Sequence, residues 1–373
     1  MGLTSSIVLA LAIFIAVLLF LATMWLWPRL ARQSWRAISG RFGLLLGTQL
    51  AVFACTCLAA NQTFGFYASW SDLFGQETDQ GVVVDHIAGG DSRIQAVSTS
   101  RVIGVSSTLP QVAGQVQQVD IIGRTTHIAT PAFVYLPPEY FQTQNRSRKF
   151  PVSVVLTGYP GTAEALVNKL HYPSTAQQLA KSGKMQPMIL VMLRPTVAPP
   201  RDTECVDIPG GPQTETFFAK DLRDAVMAQY RVDKTPASWG IAGDSTGGYC
   251  ALKIALHNPK SYAAAAGLSP YYRAPLDPTT GDLFHGNKNL QNRADLFWTI
   301  KHLPAPETSL LVTSSKVGEH NYKDTLKFIK SVQDTNVTRI SSVILPSGGH
   351  NFNTWRREIP GVLEWLSTRL VAH

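Results

Sequence analysis

Two apolar blocks with no polar period open the chain, and short apolar runs alternating with longer amphipathic stretches follow them. From Ile7 to Trp27 the sequence reads IVLALAIFIAVLLFLATMWLW, 21 residues without a charge. At about 1.5 Å per residue such a helix is about 30 Å long, the thickness of a bilayer hydrocarbon core. The second block, Leu44 to Ala60 (LLLGTQLAVFACTCLAA), covers 17 residues, short for a span but equally free of charge. These two blocks, residues 7–27 and 44–60, are the expected contacts with membrane lipid. Residues 76–112 are rich in Gly, Ser, Val and Asp and have no long helical pattern, which predicts a connection with a short strand or two.

From Gln115 the pattern is that of an α/β sheet. Strands are expected over Val116–Ile122, His127–Leu136, Val152–Thr157, Met188–Leu193, Ser238–Ala242, Ala263–Leu268, Ser309–Thr313 and Ser341–Leu345. Helices are expected over Ser174–Ser182, Thr216–Tyr230, Gly247–His257, Tyr322–Asp334 and Trp355–Leu370. No helix separates the first two strands, so they should be antiparallel; later strand–helix–strand units predict right-handed parallel crossovers. Pro270 to Pro306 interrupts the rhythm with a polar and aromatic insertion carrying Tyr271, Tyr272, Arg273 and Trp298, and the pattern leaves open whether it forms a lid. The expected fold class is α/β: a mostly parallel eight-stranded sheet flanked by helices, as in an α/β-hydrolase fold, preceded by two transmembrane helices. The corresponding domains are a hairpin anchor over residues 1–62, a membrane-proximal connection over 63–114 and a catalytic domain over 115–373.

Charge sets the orientation. Between the apolar blocks, PRLARQSWRAISGR carries Arg29, Arg32, Arg36 and Arg41, and the first 71 residues contain no acid. The positive-inside rule keeps this loop cytoplasmic, which places the N-terminus and everything after Ala60 outside the cell membrane. A cleaved signal peptide has a similar apolar run, but the basic segment that should precede it is missing before Ile7. A second block lying only at the interface would leave the domain in the cytoplasm; its lack of charge argues against this, although its length does not decide. The chain carries 33 Lys and Arg against 25 Asp and Glu, but from Asn61 onward the excess is only four, too mild for a nucleic-acid partner. Phe64, Phe66, Tyr67, Trp70 and Phe74 fit either a membrane-interface belt or a local cluster of the folded domain. Asn145–Lys149 (NRSRK) reads as a basic hairpin tip, solvated in preference to a contact with anionic head groups. Cys55 and Cys57 fall within the second block; Cys205 and Cys250 fall in the outer domain, where they form either a disulfide or two separate buried thiols. No cysteine–histidine spacing points to a metal, and no cofactor is implied.

Gly243-Asp244-Ser245-Thr246-Gly247 lies between an expected strand and an expected helix, the setting of a nucleophile elbow. A serine hydroxyl is a poor nucleophile without a base, a group that orients the base, and N–H donors for the oxyanion. His350 follows the last expected strand in PSGGHNF and is the expected base. Glu319, in the loop after the preceding strand, is the favoured acid, with Asp324 just inside the next helix as the alternative. The main-chain N–H groups of Thr246 and Tyr159 are the expected oxyanion donors, because Pro160 in the TGYPG loop has no N–H. The chain order Ser245, Glu319, His350 is that of α/β-hydrolases.

The segments PAFVYLPPEYF, TGYPG, DLRDAVMAQYRVD, GIAGDSTGGYCALKIAL and PSGGHNFNTWRREIPGVLEWL together resemble the esterase D-like family, which includes carboxylesterases, enterochelin-type esterases and mycolyltransferases. The resemblance covers Gln115 to His373 and implies a serine hydrolase fold acting on carboxylic esters or moving an acyl group between alcohols. Thr246 departs from the methionine common at this position in the family, and the resemblance does not extend to the hairpin. The expected activity is that of a membrane-anchored serine esterase. The alternatives are an acyltransferase of envelope lipids or glycolipids and a catalytically silent, membrane-tethered binding module.

Overall fold

The computed structural model describes residues 6–31, 34–64, 94–102, 107, 109–199 and 201–372. They divide into two compact units, Met1–Gln80 and Gly81–His373. Of the expected interface aromatics, Phe66, Tyr67, Trp70 and Phe74 lie outside the described residues.

The first unit holds two helices, Ser6–Leu26 and Trp35–Phe64, both long and apolar enough to cross a membrane. The second starts ahead of its apolar block, so Arg36 and Arg41 stand on the helix and not in a loop. Thr23 and Thr48 each donate a hydroxyl hydrogen bond to the carbonyl four residues back, and their oxygens lie 3.3 Å apart across the two helices. Both hydroxyls are thereby satisfied in an apolar setting.

The second unit is built on one sheet of nine strands: β1 Ile94–Ser100, β2 Gln115–Ile122, β3 Ala129–Leu136, β4 Val152–Leu156, β5 Ile189–Leu193, β6 Trp239–Asp244, β7 Ala264–Leu268, β8 Ser309–Val317 and β9 Arg339–Ser347. Their order is β1-β2-β3-β5-β4-β6-β7-β8-β9. The first three strands and the β3/β5 contact are antiparallel; every pairing from β5 through β9 is parallel. This corrects the expected count of eight strands. The ninth is β1, whose sequence IQAVSTS buries only Ile94 and therefore shows no apolar alternation. β3 begins at Ala129 and not at His127, because His127 turns with φ 56° while Asp221 accepts main-chain hydrogen bonds from Thr125 and Thr126.

The central strands β4 to β7 are buried at every position, as expected for a sheet covered on both faces. Strand period 2 sends Val154, Val191 and Ile241 to one core, under Phe217, Phe218 and Tyr249, and sends Val155, Met192 and Ala242 to the other, under Tyr172, Trp355 and Leu363. The helix expected over Thr216–Tyr230 is interrupted by a π turn, Phe217–Asp221, between Thr214–Thr216 and Leu222–Gln229. The wider turn lets the adjacent Phe217 and Phe218 both reach the core. The insertion contains two short helices, Lys288–Arg293 and Leu296–His302, capped by the Asn287 and Asp295 side chains, which accept from Leu290 N and from Phe297 N and Trp298 N.

A disulfide joins Cys205, in the segment after β5, to Cys250 on the helix Thr246–His257, with Cα atoms 5.7 Å apart. Lys253, one turn further along that helix and 2% exposed, donates to the Cys205 carbonyl and pairs with Glu215 at 2.7 Å. A covalent link across 45 residues restricts the unfolded chain by an amount worth about 4 kcal/mol in the chain-entropy model. Replacing both cysteines with serine is expected to lower unfolding stability by about 2–4 kcal/mol, read by urea denaturation of the full chain. An unchanged midpoint and slope would contradict this assignment.

Candidate active site

The turn between β6 and its following helix leaves no space for side chains at its glycines. A Cβ on Gly243 would lie 2.5 Å from the Gly247 carbonyl, and one on Gly247 would lie 2.3 Å from the Leu156 carbonyl oxygen. Real Cβ atoms do not approach backbone so closely, so the elbow closes only with glycine at both places. Ser245 between them takes φ 53° and ψ −119°, a strained conformation for a residue with a side chain. Its N–H donates to the Leu268 carbonyl at 2.9 Å and its carbonyl accepts from Tyr249 N at 3.0 Å, which hold the turn in place.

His350 arrives from the far end of the sheet. β8 and β9 run side by side to Val317 and Ser347, past the ends expected at Thr313 and Leu345. Gly348 N then donates to the Val317 carbonyl at 3.0 Å, and a Cβ on Gly318, which has φ 98°, would sit 2.3 Å from the Gly348 carbonyl oxygen. This close backbone approach brings the two loops into register, Glu319 on one and His350 on the other. His350 Nε2 lies 2.8 Å from Ser245 Oγ, and its Nδ1 lies 3.5 Å from Glu319 Oε2. The imidazole is about half exposed, whereas the Glu319 side chain is 1% exposed. Trp355 meets the imidazole edge-on, with ring centres 5.1 Å apart. Asp324 stands exposed on the helix Tyr322–Gln333, and the carboxylate beside the imidazole is that of Glu319.

The loop after β4 packs onto the serine. A Cβ on Gly158 would touch the Ser245 Cβ at 2.9 Å, and Gly158 N donates to Asp244 Oδ2 at 2.9 Å. Asp244, within the elbow motif itself, thus ties the Tyr159 loop to the turn that carries the serine. Thr246 opens the helix, and its hydroxyl accepts from Tyr271 OH at 3.0 Å. The Tyr271 hydroxyl also lies 2.7 Å from both carboxyl oxygens of Glu204, next to the disulfide. Tyr159 lines a cavity of about 620 Å³ with Arg201, Pro278, Thr279, Gly281, Asp282 and His285. Arg201 donates to the carbonyls of Thr280 and Asp282, so the segment after β5 is fastened to the insertion along one wall of that cavity.

Sequence reading missed Asp244, Ser269, Trp355, Tyr271 and Glu204. Only Asp244 had a local signal, its position beside the serine. The others come from the segment after β5, the segment after β7 and the C-terminal helix, and meet only in the folded chain.

Several carboxyls near the site are held protonated well above their ordinary range. Burial pushes Asp244 up to about 7 against the Gly158 N–H, which favours the charge. Burial, then the charge of Asp202, pushes Glu204 up to about 9, and burial pushes Glu358 up to about 7.

A family model described as "Putative esterase" matches residues 124–366. An uncharacterized protein of Corynebacterium glutamicum is 25% identical over 279 residues, covering 69% of this chain and 62% of that protein. The chain thus matches less than two thirds of this curated relative's length. A solved ferulic acid esterase is 18% identical with a TM-score of 0.59, covering 69% of this chain and 99% of the other. An S-formylglutathione hydrolase from Agrobacterium tumefaciens is 17% identical with a TM-score of 0.56, covering 73% and 100%. The fluorophosphonate-binding serine hydrolase F of Staphylococcus aureus is 17% identical with a TM-score of 0.55, covering 68% and 98%. At these identities the structural likeness is one of fold.

The raised carboxyls fix the sign of the pH dependence of stability. Each keeps its proton in the fold and loses it in the unfolded chain, so the stability present at low pH is lost as pH rises from the unfolded value through the folded one. Asp244, Glu204, Glu358 and Asp202 act in this direction, and His257 and His171, both lowered by burial, oppose it. The thermal midpoint of the full chain is expected to be higher at about pH 5.5 than at about pH 8. A midpoint that climbs with pH over that window would contradict the burial of these carboxyls.

Proposed function

We propose that this chain, which belongs to the esterase family, is a membrane-anchored serine esterase whose catalytic domain lies outside the cytoplasm. The observation that carries the reading is the 2.8 Å contact between His350 Nε2 and Ser245 Oγ on a glycine-bound elbow. The serine hydroxyl attacks the ester carbonyl while Nε2 takes its proton. Glu319 faces Nδ1 and stabilises the imidazolium that forms. The main-chain N–H groups of Tyr159 and Thr246 receive the oxyanion, the latter at a helix N-terminus where negative charge is favoured. The imidazolium then returns the proton to the leaving alcohol, and the acyl group stays on Ser245. Water, activated by the same imidazole, attacks the acyl-enzyme and releases the acid.

The two apolar helices and the basic, acid-free segment around them support the anchored, outward-facing orientation. The resemblance to esterase D-like proteins supports carboxylic esters as substrates. Where an alcohol outcompetes water, the same acyl-enzyme transfers its acyl group, as in an acyltransferase of the mycolyltransferase type.

The test is ester turnover by the full chain in detergent or membranes, over substrates of graded acyl length, with and without alcohol acceptors. Ser245→Ala is expected to abolish turnover, His350→Ala to lower kcat/KM by about 10⁴-fold or more, and Glu319→Gln by about 10³- to 10⁴-fold. Free acid as the main product when acceptor is present supports hydrolysis, and a new ester supports transfer. Undiminished turnover by folded Ser245→Ala would overturn the reading.

A further inference from the structure

We propose that Glu358 is a positioning residue for this site, acting through Thr313 and Ser269 to hold the Glu319 carboxylate against the imidazole. The proposal rests on the serine-hydrolase reading above for its activity readout and adds a residue to it.

Glu358 lies on the C-terminal helix, Phe352–Arg369, and is 1% exposed. Its Oε2 accepts the Thr313 hydroxyl at 2.7 Å. A threonine hydroxyl has one proton, so this bond fixes the hydroxyl rotor and leaves its lone pairs for another donor. That donor is the Ser269 main-chain N–H, 3.0 Å away. Ser269 follows β7 with φ 46°, a left-handed conformation that a residue with a side chain keeps only when its surroundings hold it there. Ser269 Oγ in turn accepts from Trp355 Nε1 at 2.9 Å and donates to Glu319 Oε1 at 2.8 Å. With Oε1 so held, Oε2 is the oxygen facing His350. A series of hydrogen bonds therefore runs from the C-terminal helix across the ends of β7 and β8 to Glu319, whose other oxygen lies 3.5 Å from the imidazole Nδ1.

Stability alone does not account for a glutamate here. Among the described residues Glu358 Oε1 is buried without a hydrogen-bond partner, and an apolar side chain would fill the helix–sheet layer without that cost. Burial, and then the charges of Glu319 and Asp244, act against its ionisation, and only the Thr313 hydroxyl and Arg357 favour it. Tyr172, on the helix Tyr172–Lys181, also interacts with it. A buried carboxyl among other acids is an unfavourable placement that the Thr313 contact turns to use.

The experiment compares Glu358→Leu, Glu358→Gln and Thr313→Val in the full chain by ester kinetics and by the low-field proton resonance of the His350 Nδ1–H. Glu358→Leu removes the acceptor and is expected to lower kcat about 10- to 100-fold at unchanged KM and to shift the resonance. Glu358→Gln keeps an oxygen for Thr313 and should retain most of kcat and the wild-type resonance. Thr313→Val, close to isosteric, should reproduce the leucine variant and serves in its place if that variant does not fold. A folded Glu358→Leu or Thr313→Val with wild-type kcat and an unshifted resonance would overturn the proposal. If the wild-type chain hydrolyses no ester, a resonance shifted in folded Glu358→Leu or Thr313→Val still supports the positioning, while the esterase reading falls.

Discussion

At the end of β6 the chain reverses into a helix so tightly that a methyl group at position 247 would lie 2.3 Å from the carbonyl oxygen of Leu156 on the neighbouring strand. This steric constraint organises the site. It forces glycine at 243 and 247 and places Ser245 at a positive φ, with its hydroxyl 2.8 Å from His350 Nε2 on the loop that follows β9. A second contact of the same kind, Gly318 against Gly348, decides that those two loops meet. Backbone packing thus sets the reach, and the side chains at 319 and 350 need only extend from it.

The polar groups around this frame are arranged at some cost in stability. Asp244, Glu204 and Glu358 are buried carboxyls that a stability-optimised domain would replace. Each holds something that touches the site: Asp244 the Gly158 N–H, Glu204 the Tyr271 hydroxyl beside Thr246, and Glu358 the Thr313 hydroxyl behind Glu319. The disulfide and the Lys253–Glu215 pair fasten the segment bearing Glu204 to the same helix that Ser245 opens. Glu358, by contrast, joins the C-terminal helix to β8 through Thr313.

What was legible in the sequence follows from where each signal resides. The parallel strands were found because both faces are buried and their runs are continuous, as in ILVML of β5 and AAAGL of β7. The elbow, the late histidine and the loop carboxylates were legible as candidates because each sits at a fixed place relative to a strand end, although the sequence left Asp324 as an alternative to Glu319. β1 falls within the connection where a short strand or two was expected, but its bounds and its place in the sheet were not legible, because a solvent-facing edge strand needs no alternation. The two insertion helices were missed because each is short and is set by one capping side chain, Asn287 or Asp295. The hydrogen-bonded series through Ser269, Thr313 and Glu358 had no sequence signature, since its members are joined by strand order and not by spacing.

The account's central claim is that Ser245 is the nucleophile, and covalent capture tests it most directly. A fluorophosphonate probe incubated with the folded full chain, followed by peptide mass mapping, is predicted to leave one adduct, on Ser245, that disappears in His350→Ala. Labelling of a different serine, or an unlabelled Ser245 in protein shown to be folded, would contradict the account.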